Sequence, residues 1–216
     1  MPTAVTLLSV NCGVSQIIGQ RNGRPVRSAI GKFPLAADTV FVGREAIAGD
    51  EQTSRLVHGG PDQAVCAYAA DHWAWWREEK GLVCTEGSFG ENITLLGVTE
   101  DDVCIGDRFA WDAVVLEVTQ PRRPCVNLDL CHGRMDIAQA VTRSGRCGWY
   151  LRVIRQGHAS TRGTSVRHIR TEGRPTVGEA FAARYDSRTP LALRRRVHEI
   201  SQLSSNWRRA IARTLA

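Results

Sequence analysis

Ala113-Val114-Val115-Leu116-Glu117-Val118 leads through Thr119 into Gln120-Pro121-Arg122-Arg123-Pro124-Cys125, and the two halves of this stretch ask different things of the backbone. The first half is a short apolar run, which reads as a strand. The second half is a loop with little freedom, because Pro121 and Pro124 each fix a φ angle. Arg122 and Arg123 place positive charge within three residues of Cys125, and nearby positive charge favours a thiolate. The frame suits a reactive or metal-bound sulfur. The competing reading makes Cys125 a small hydrophobe at a strand end, since free cysteine is among the most buried residue types.

Working outward, the same texture of short apolar runs between Gly and Asp extends from Val5 to about His168. Ala4–Val10, Thr39–Val42, Ala64–Tyr68, Asn92–Leu95, Val103–Ile105, Trp149–Ile154 and Ser165–Ile169 also read as strands. Many short strands separated by turn signals point to a barrel or sandwich, hence an α+β chain that is mainly β. Two helices interrupt it, Ala69–Lys80 closed by Gly81 and Met135–Ser144 closed by Gly145. The texture changes near Gly173. Thr176 and Glu179 form a capping box for Val177–Tyr185. Thr189 and Pro190 open Leu191–Ile200, and Ser204 or Ser205 caps Asn206–Leu215. The expected organisation is residues 1–172 as the β domain and 173–216 as a three-helix extension.

The 216 residues suffice for one sizeable core. No apolar run approaches the ~20 residues of a membrane span. The N-terminal stretch has no basic n-region and reads as a strand rather than a signal peptide. Cys12, Cys66, Cys84, Cys104, Cys125, Cys131 and Cys147 are scattered without a C-x-x-C pair, so reduced thiols in the cytoplasm are expected. Residues 187–216 hold seven arginines and one acid, Glu199, a net +6 that equals the charge of the whole chain. Such a tail reads as a solvated helical face, or as a surface for an anion, a nucleic acid or an acidic partner.

Three further clusters contain groups suited to chemistry. Asp50 precedes His58-Gly59-Gly60, where adjacent glycines permit close backbone approach and His58 can act as donor or acid. Gly90-Glu91-Asn92 stands at a strand start, as a binding turn or an ordinary tight turn would. Lys32 is conspicuous because it is one of only two lysines among 28 basic residues.

In combination these segments resemble a known family. His58-Gly59-Gly60-Pro61-Asp62, Gly90-Glu91-Asn92-Ile93-Thr94, Ile105-Gly106-Asp107-Arg108-Phe109, Gln120–Cys125 and Gly148-Trp149-Tyr150-Leu151-Arg152-Val153 look like the successive motifs of the MOSC domain. That domain occurs at the C-terminus of molybdenum cofactor sulfurases and in stand-alone bacterial proteins. The match spans about residues 5–170, and the terminal helices resemble the three-helix extension of the YiiM-like subgroup. The resemblance implies a β-barrel with peripheral helices that binds the molybdenum cofactor (Mo-molybdopterin), with Cys125 as metal ligand and catalytic residue. Lys32, Arg122, Gly59 and Gly60 would meet the pterin phosphate. Asp50, His58, Glu91, Asn92 and Gln120 would hydrogen-bond pterin or substrate, with His58 also a proton donor or polar clamp.

The subgroup is similar to enzymes that reduce N-hydroxylated compounds such as hydroxylaminopurines. No iron–sulfur cysteine cluster and no G-x-G-x-x-G fingerprint is present, so a separate electron-donating reductase is expected. Alternatives are sulfur transfer through a Cys125 persulfide, or a carrier that binds the cofactor without turnover. Nucleic acid is not an expected partner, and a homodimer is, since helical appendages often build dimers. One departure stands out: Asn127 occupies the place where many relatives carry a lysine two residues past the cysteine. Cys131 reads as a packed loop cysteine.

Overall fold

The structure is a computed structural model and describes residues 3–53 and 59–215. Alternation dictates the start of the first strand, β1 (Thr3–Cys12), which buries Val5 and Leu7, and a register shift between Leu7 and Ser9 then turns Val10 inward. A hairpin follows, β2 (Gln16–Arg21) and β3 (Arg24–Ser28). Its turn residues Asn22 and Gly23 both take positive φ, 51° and 73°, as a type I′ turn demands. Next come β4 (Phe33–Pro34), β5 (Thr39–Val42), β6 (Val65–Ala69) and β7 (Ile93–Leu96). Then β8 (Arg108–Trp111), β9 (Val114–Pro121), β10 (Trp149–Arg155), β11 (Gly157–Ser160) and β12 (Thr164–Ile169) complete the strands.

Seven of these close on themselves in the order β12-β8-β9-β10-β6-β7-β1, and β1 pairs back onto β12. Closure decides between barrel and sandwich, because every strand of the ring has two hydrogen-bonded neighbours and no open edge remains. All neighbours run antiparallel except β6 and β7, which pair in parallel. A parallel pair needs a crossover, and helix α1 (Trp73–Lys80) supplies it. Leu7, Leu95, Phe109, Leu116, Val118, Trp149 and Leu151 fill the interior.

Five further helices follow: α2 (Asn127–Cys131), α3 (Ile137–Ser144), α4 (Val177–Tyr185), α5 (Leu191–Glu199) and α6 (Ser205–Ala212). The last three lie against the barrel and contribute Phe181, Val197, Trp207 and Ile211 to the same apolar core. Ser204 N–H donates to Thr119 O at 3.0 Å, which ties the start of α6 to β9.

Local expectations divide by mechanism. The Thr176/Glu179 capping box is present, and Ser204 caps α6. Val103–Ile105 is not a strand. It is a turn pinned across to the start of α4 by the Cys104–Thr176 bridge, with Val177 N–H donating to Val103 O at 2.7 Å. Thr189 caps nothing, because its hydroxyl donates to Ala182 O at 2.9 Å and Pro190 holds the N-cap place. The helix expected from Ala69 starts at Trp73, since Ala69 belongs to β6 and Ala70–His72 form a 3-10 turn.

Candidate functional site

The Pro121–Pro124 segment leaves the barrel at the end of β9 and opens a cleft. Arg122, only 6% exposed, is anchored there by its N–H bond to Gly148 O at 2.9 Å. Cys125 is half-buried, a free thiol on the cleft wall, and its carbonyl accepts from Leu128 N–H at 2.9 Å to start α2. The opposite wall comes from the β2–β3 hairpin and the chain after it, through Arg27, Ala29, Ile30 and Lys32. Cys66 and Tyr150, cross-strand neighbours on β6 and β10, line the barrel side.

Asp50 organises the floor. Its carboxylate accepts from Gly13 N–H at 2.9 Å and from Asn92 Nδ2 at 2.8 Å, and it forms a close ion pair with Lys32. The two side chains are nearly buried, so the lysine charge is neutralised by its partner rather than left open. Asn92 in turn accepts from Cys66 N–H at 3.1 Å, which links the floor to β6. The lysine sits where it does because Gly87 and Gly90, at φ 81° and 71°, let their turn press on the Ile30–Lys32 backbone. A Cβ at Gly87 would lie 2.4 Å from Lys32 O, and one at Gly90 would lie 2.5 Å from Ile30 Cγ1.

Arg122 is different. Among the described residues it has no carboxylate partner. Burial works against its charge, yet a guanidinium stays protonated near neutrality. Burial also raises the Cys66 thiol to about 11, so that sulfur stays protonated near neutrality. The Tyr150 phenol is raised by burial as well and stays neutral. Among the described residues the cleft is lined by four cations, Arg27, Lys32, Arg122 and Arg123, against two carboxylates, Asp50 and Glu51. It is therefore electropositive and sulfur-bearing, with one guanidinium deep inside it lacking a counter-ion.

Cys125, Lys32, Asp50, Asn92 and Arg122 meet at this cleft. Other residues nominated from sequence lie elsewhere. Glu91 is fully buried behind the wall, where its carboxylate accepts from Gly87 N–H at 2.8 Å, Phe89 N–H at 2.9 Å and the Thr94 hydroxyl at 2.9 Å. It shapes the glycine turn and does not line the cleft. Gln120 is tied by a short bond to the Ser204 hydroxyl and borders a neighbouring cavity. Gly60, at φ 91°, caps the 3-10 turn Pro61–Gln63, and neither it nor Gly59 lines the cleft. His58 lies outside the described residues. Asn127 lines the cleft and accepts from Arg21 Nη2 at 3.2 Å, so hairpin β2–β3 brings a guanidinium to the position that lacks the lysine.

Arg27, Cys66 and Tyr150 were not singled out from sequence. The turn dipeptide Asn22-Gly23 between two strand-like runs could have found the hairpin bearing Arg27. Tyr150 was present in a quoted motif but carried no local sign of facing a cavity.

Comparison with known proteins identifies the family and the fold. The family model described as the MOSC domain matches residues 54–171. An uncharacterized protein of Bacillus subtilis, YflK, is 36% identical over 206 residues, covering 94% of this chain and 91% of that protein. The crystal structure of YiiM from Geobacillus stearothermophilus superposes with a TM-score of 0.80 at 32% identity, covering 98% of this chain and all of that one. A protein of Gibberella moniliformis named "Reductase" is 36% identical over 123 residues, which are 55% of this chain and 22% of that much longer protein. With its family model covering more than half the chain and its fold matched end to end, the protein belongs to the MOSC domain family, the domain of the molybdenum cofactor sulfurase C-terminus, and is YiiM-like.

Proposed function

We propose that the cleft binds the molybdenum cofactor through Cys125 and that the protein is an oxidoreductase acting on N-hydroxylated compounds such as hydroxylaminopurines. The observation that carries this reading is Arg122: a buried, charged guanidinium with no carboxylate partner among the described residues, lining the same cleft as a half-buried free thiol. A buried charge is costly unless compensated, so the site is built for an anion. A phosphate-bearing pterin with a thiophilic metal matches both demands, a guanidinium for the phosphate and a soft sulfur for the metal. When bound, the cofactor would supply two-electron redox chemistry.

The chain's own residues do the rest. Cys125 offers one sulfur donor on the cleft wall. Arg122 holds the anionic end, helped on the rim by Arg27. The Asp50–Lys32 pair, fixed by Asn92 and Gly13, forms a rigid polar floor that orients what enters. Tyr150 remains a neutral phenol, able to donate a hydrogen bond. Reduction of N–OH to N–H releases water and consumes two electrons and two protons, and the electrons come from a separate reductase.

The test is metal and pterin analysis of wild type and Cys125→Ala, both purified from a host that makes the cofactor. Wild type carries molybdenum and pterin, and the variant loses most of the metal while keeping its melting temperature. Full molybdenum in the variant would overturn the ligand assignment. A metal-loaded wild type that leaves a hydroxylaminopurine unreduced by a strong chemical donor would overturn the reaction.

A further inference from the structure

A second, open groove adjoins the cleft, and the two share Gln63, Arg123 and Tyr150 as their border. Four guanidinium groups line it: Arg123 from the Cys125 loop, Arg184 from α4, and Arg209 and Arg213 from the end of α6. Among the described residues no Asp or Glu lines it. Among the described residues none of the four has an ion-pair partner. Other arginines of the basic tail have internal work. Arg194 donates to Asp186 O at 2.9 Å and Arg208 to Ile200 O at 2.7 Å, closing helix ends. Of the groove arginines, Arg209 donates to Asn206 Oδ1 on its own helix, a neutral partner that leaves its charge uncompensated.

Arg184 is held in place by aromatic rings, its guanidinium 4.7 Å from the Trp207 ring centroid and 5.1 Å from that of Tyr185. Burial, followed by repulsion from Arg123 and Arg213, pulls its pKa below the usual arginine value. Like charges gathered without counter-charge cost free energy in the unliganded protein, and an anion removes that cost. Four guanidiniums exceed what one phosphate needs and suit an oligophosphate.

We propose that this groove binds the phosphate groups of a nucleotide whose base end reaches the Cys125 cleft across the Gln63–Arg123–Tyr150 border. The base placement rests on the function proposed above, and the phosphate site does not. The substrate class is then an N-hydroxylated nucleotide rather than a free base. The extension of α4–α6 is accordingly a specificity element, since it supplies three of the four guanidiniums.

The experiment is calorimetric titration of the full chain with adenosine 5′-triphosphate, inorganic tripolyphosphate, adenosine and a single-stranded oligodeoxynucleotide. Each is repeated on the double variant Arg209→Gln/Arg213→Gln, whose two positions are exposed, and on Cys125→Ala. The triphosphate and tripolyphosphate bind, and adenosine binds at least about tenfold more weakly. The double variant loses about tenfold or more for both phosphates, while Cys125→Ala binds them as wild type does. With metal-loaded enzyme, the double variant raises KM for an N-hydroxylated nucleotide and leaves KM for the free base unchanged. Phosphate binding that ignores the double variant, or tighter binding of the oligonucleotide than of the triphosphate, would overturn the phosphate site. Intact phosphate binding with both KM values unchanged would overturn the substrate assignment. Because Cys125→Ala is predicted to lose metal but not phosphate, failure of one proposal is separable from failure of the other.

Discussion

Cys125 and Arg122 illustrate how little a side chain determines by itself. A thiol and a guanidinium three residues apart become a site only because Arg122 turns inward without a carboxylate while Cys125 stays half-exposed. Lys32 shows the reverse, since it is neutralised by Asp50 within the protein. This pair sets a stability prediction. Lys32→Met leaves the Asp50 carboxylate buried and unpaired, at a cost of roughly 3 kcal/mol. That corresponds to a drop in Tm of about 6–12 °C for a chain of this size. The double variant Lys32→Met/Asp50→Asn recovers part of the loss, and calorimetric melting of all three proteins checks it. Glu91 is a second residue whose role is structural. Its three donors are two backbone N–H groups and the Thr94 hydroxyl, so Glu91→Ala strands buried donors and costs about 1–3 kcal/mol per stranded group.

At the scale of elements, the glycine turn and the helix caps carry separable energies. Gly90 combines φ 71° with a Cβ position 2.5 Å from Ile30 Cγ1. Gly90→Ala therefore pays both left-handed strain and a clash, and it displaces the cleft wall. The expected result is a lower Tm together with reduced molybdenum occupancy. Thr176→Ala, which breaks the capping box of α4, costs about 1 kcal/mol without touching the cleft. The junction of α4 and α5 has an acid dependence of defined sign. Bonding to Arg188 lowers the Asp186 carboxyl from 3.8 to about 2. A depressed folded-state pKa stabilises the fold above the unfolded value and stops doing so as pH falls through about 2. The Tm difference between wild type and Asp186→Asn is thus constant near neutral pH and closes between about pH 4 and pH 2. A difference that widens in acid would show that another group dominates.

At the scale of the molecule, closure of the barrel and docking of α4–α6 are one packing event. Phe181, Val197, Trp207 and Ile211 share a continuous core with the strands. A chain ended at residue 172 would expose the barrel surface they cover, and short helices do not persist without tertiary packing. The truncated protein is expected to lose its single cooperative melt, read by near-ultraviolet circular dichroism against temperature. Retention of a sharp transition would show that residues 1–172 fold alone.

What the sequence determined by itself was local or combinatorial. Short apolar runs between glycines identified β1, β5, β6, β7, β9, β10 and β12, and the Thr176/Glu179 pattern identified the start of α4. The order of five motifs pointed to the MOSC family, and hence to Cys125, before any contact was known. Strands β2, β3, β4, β8 and β11 escaped because they carry charged or exposed residues, and β4, β8 and β11 take their pairing from strands that spacing alone does not identify. The same limit explains Glu91 and Gln120, polar residues in the right motifs whose partners at Gly87, Phe89 and Ser204 direct them away from the cleft. Only the tertiary structure decided that Arg122 has no carboxylate partner among the described residues and that four arginines from three elements converge on one groove. Charge compensation is a sum over groups brought together through space, and spacing along a chain does not contain that sum.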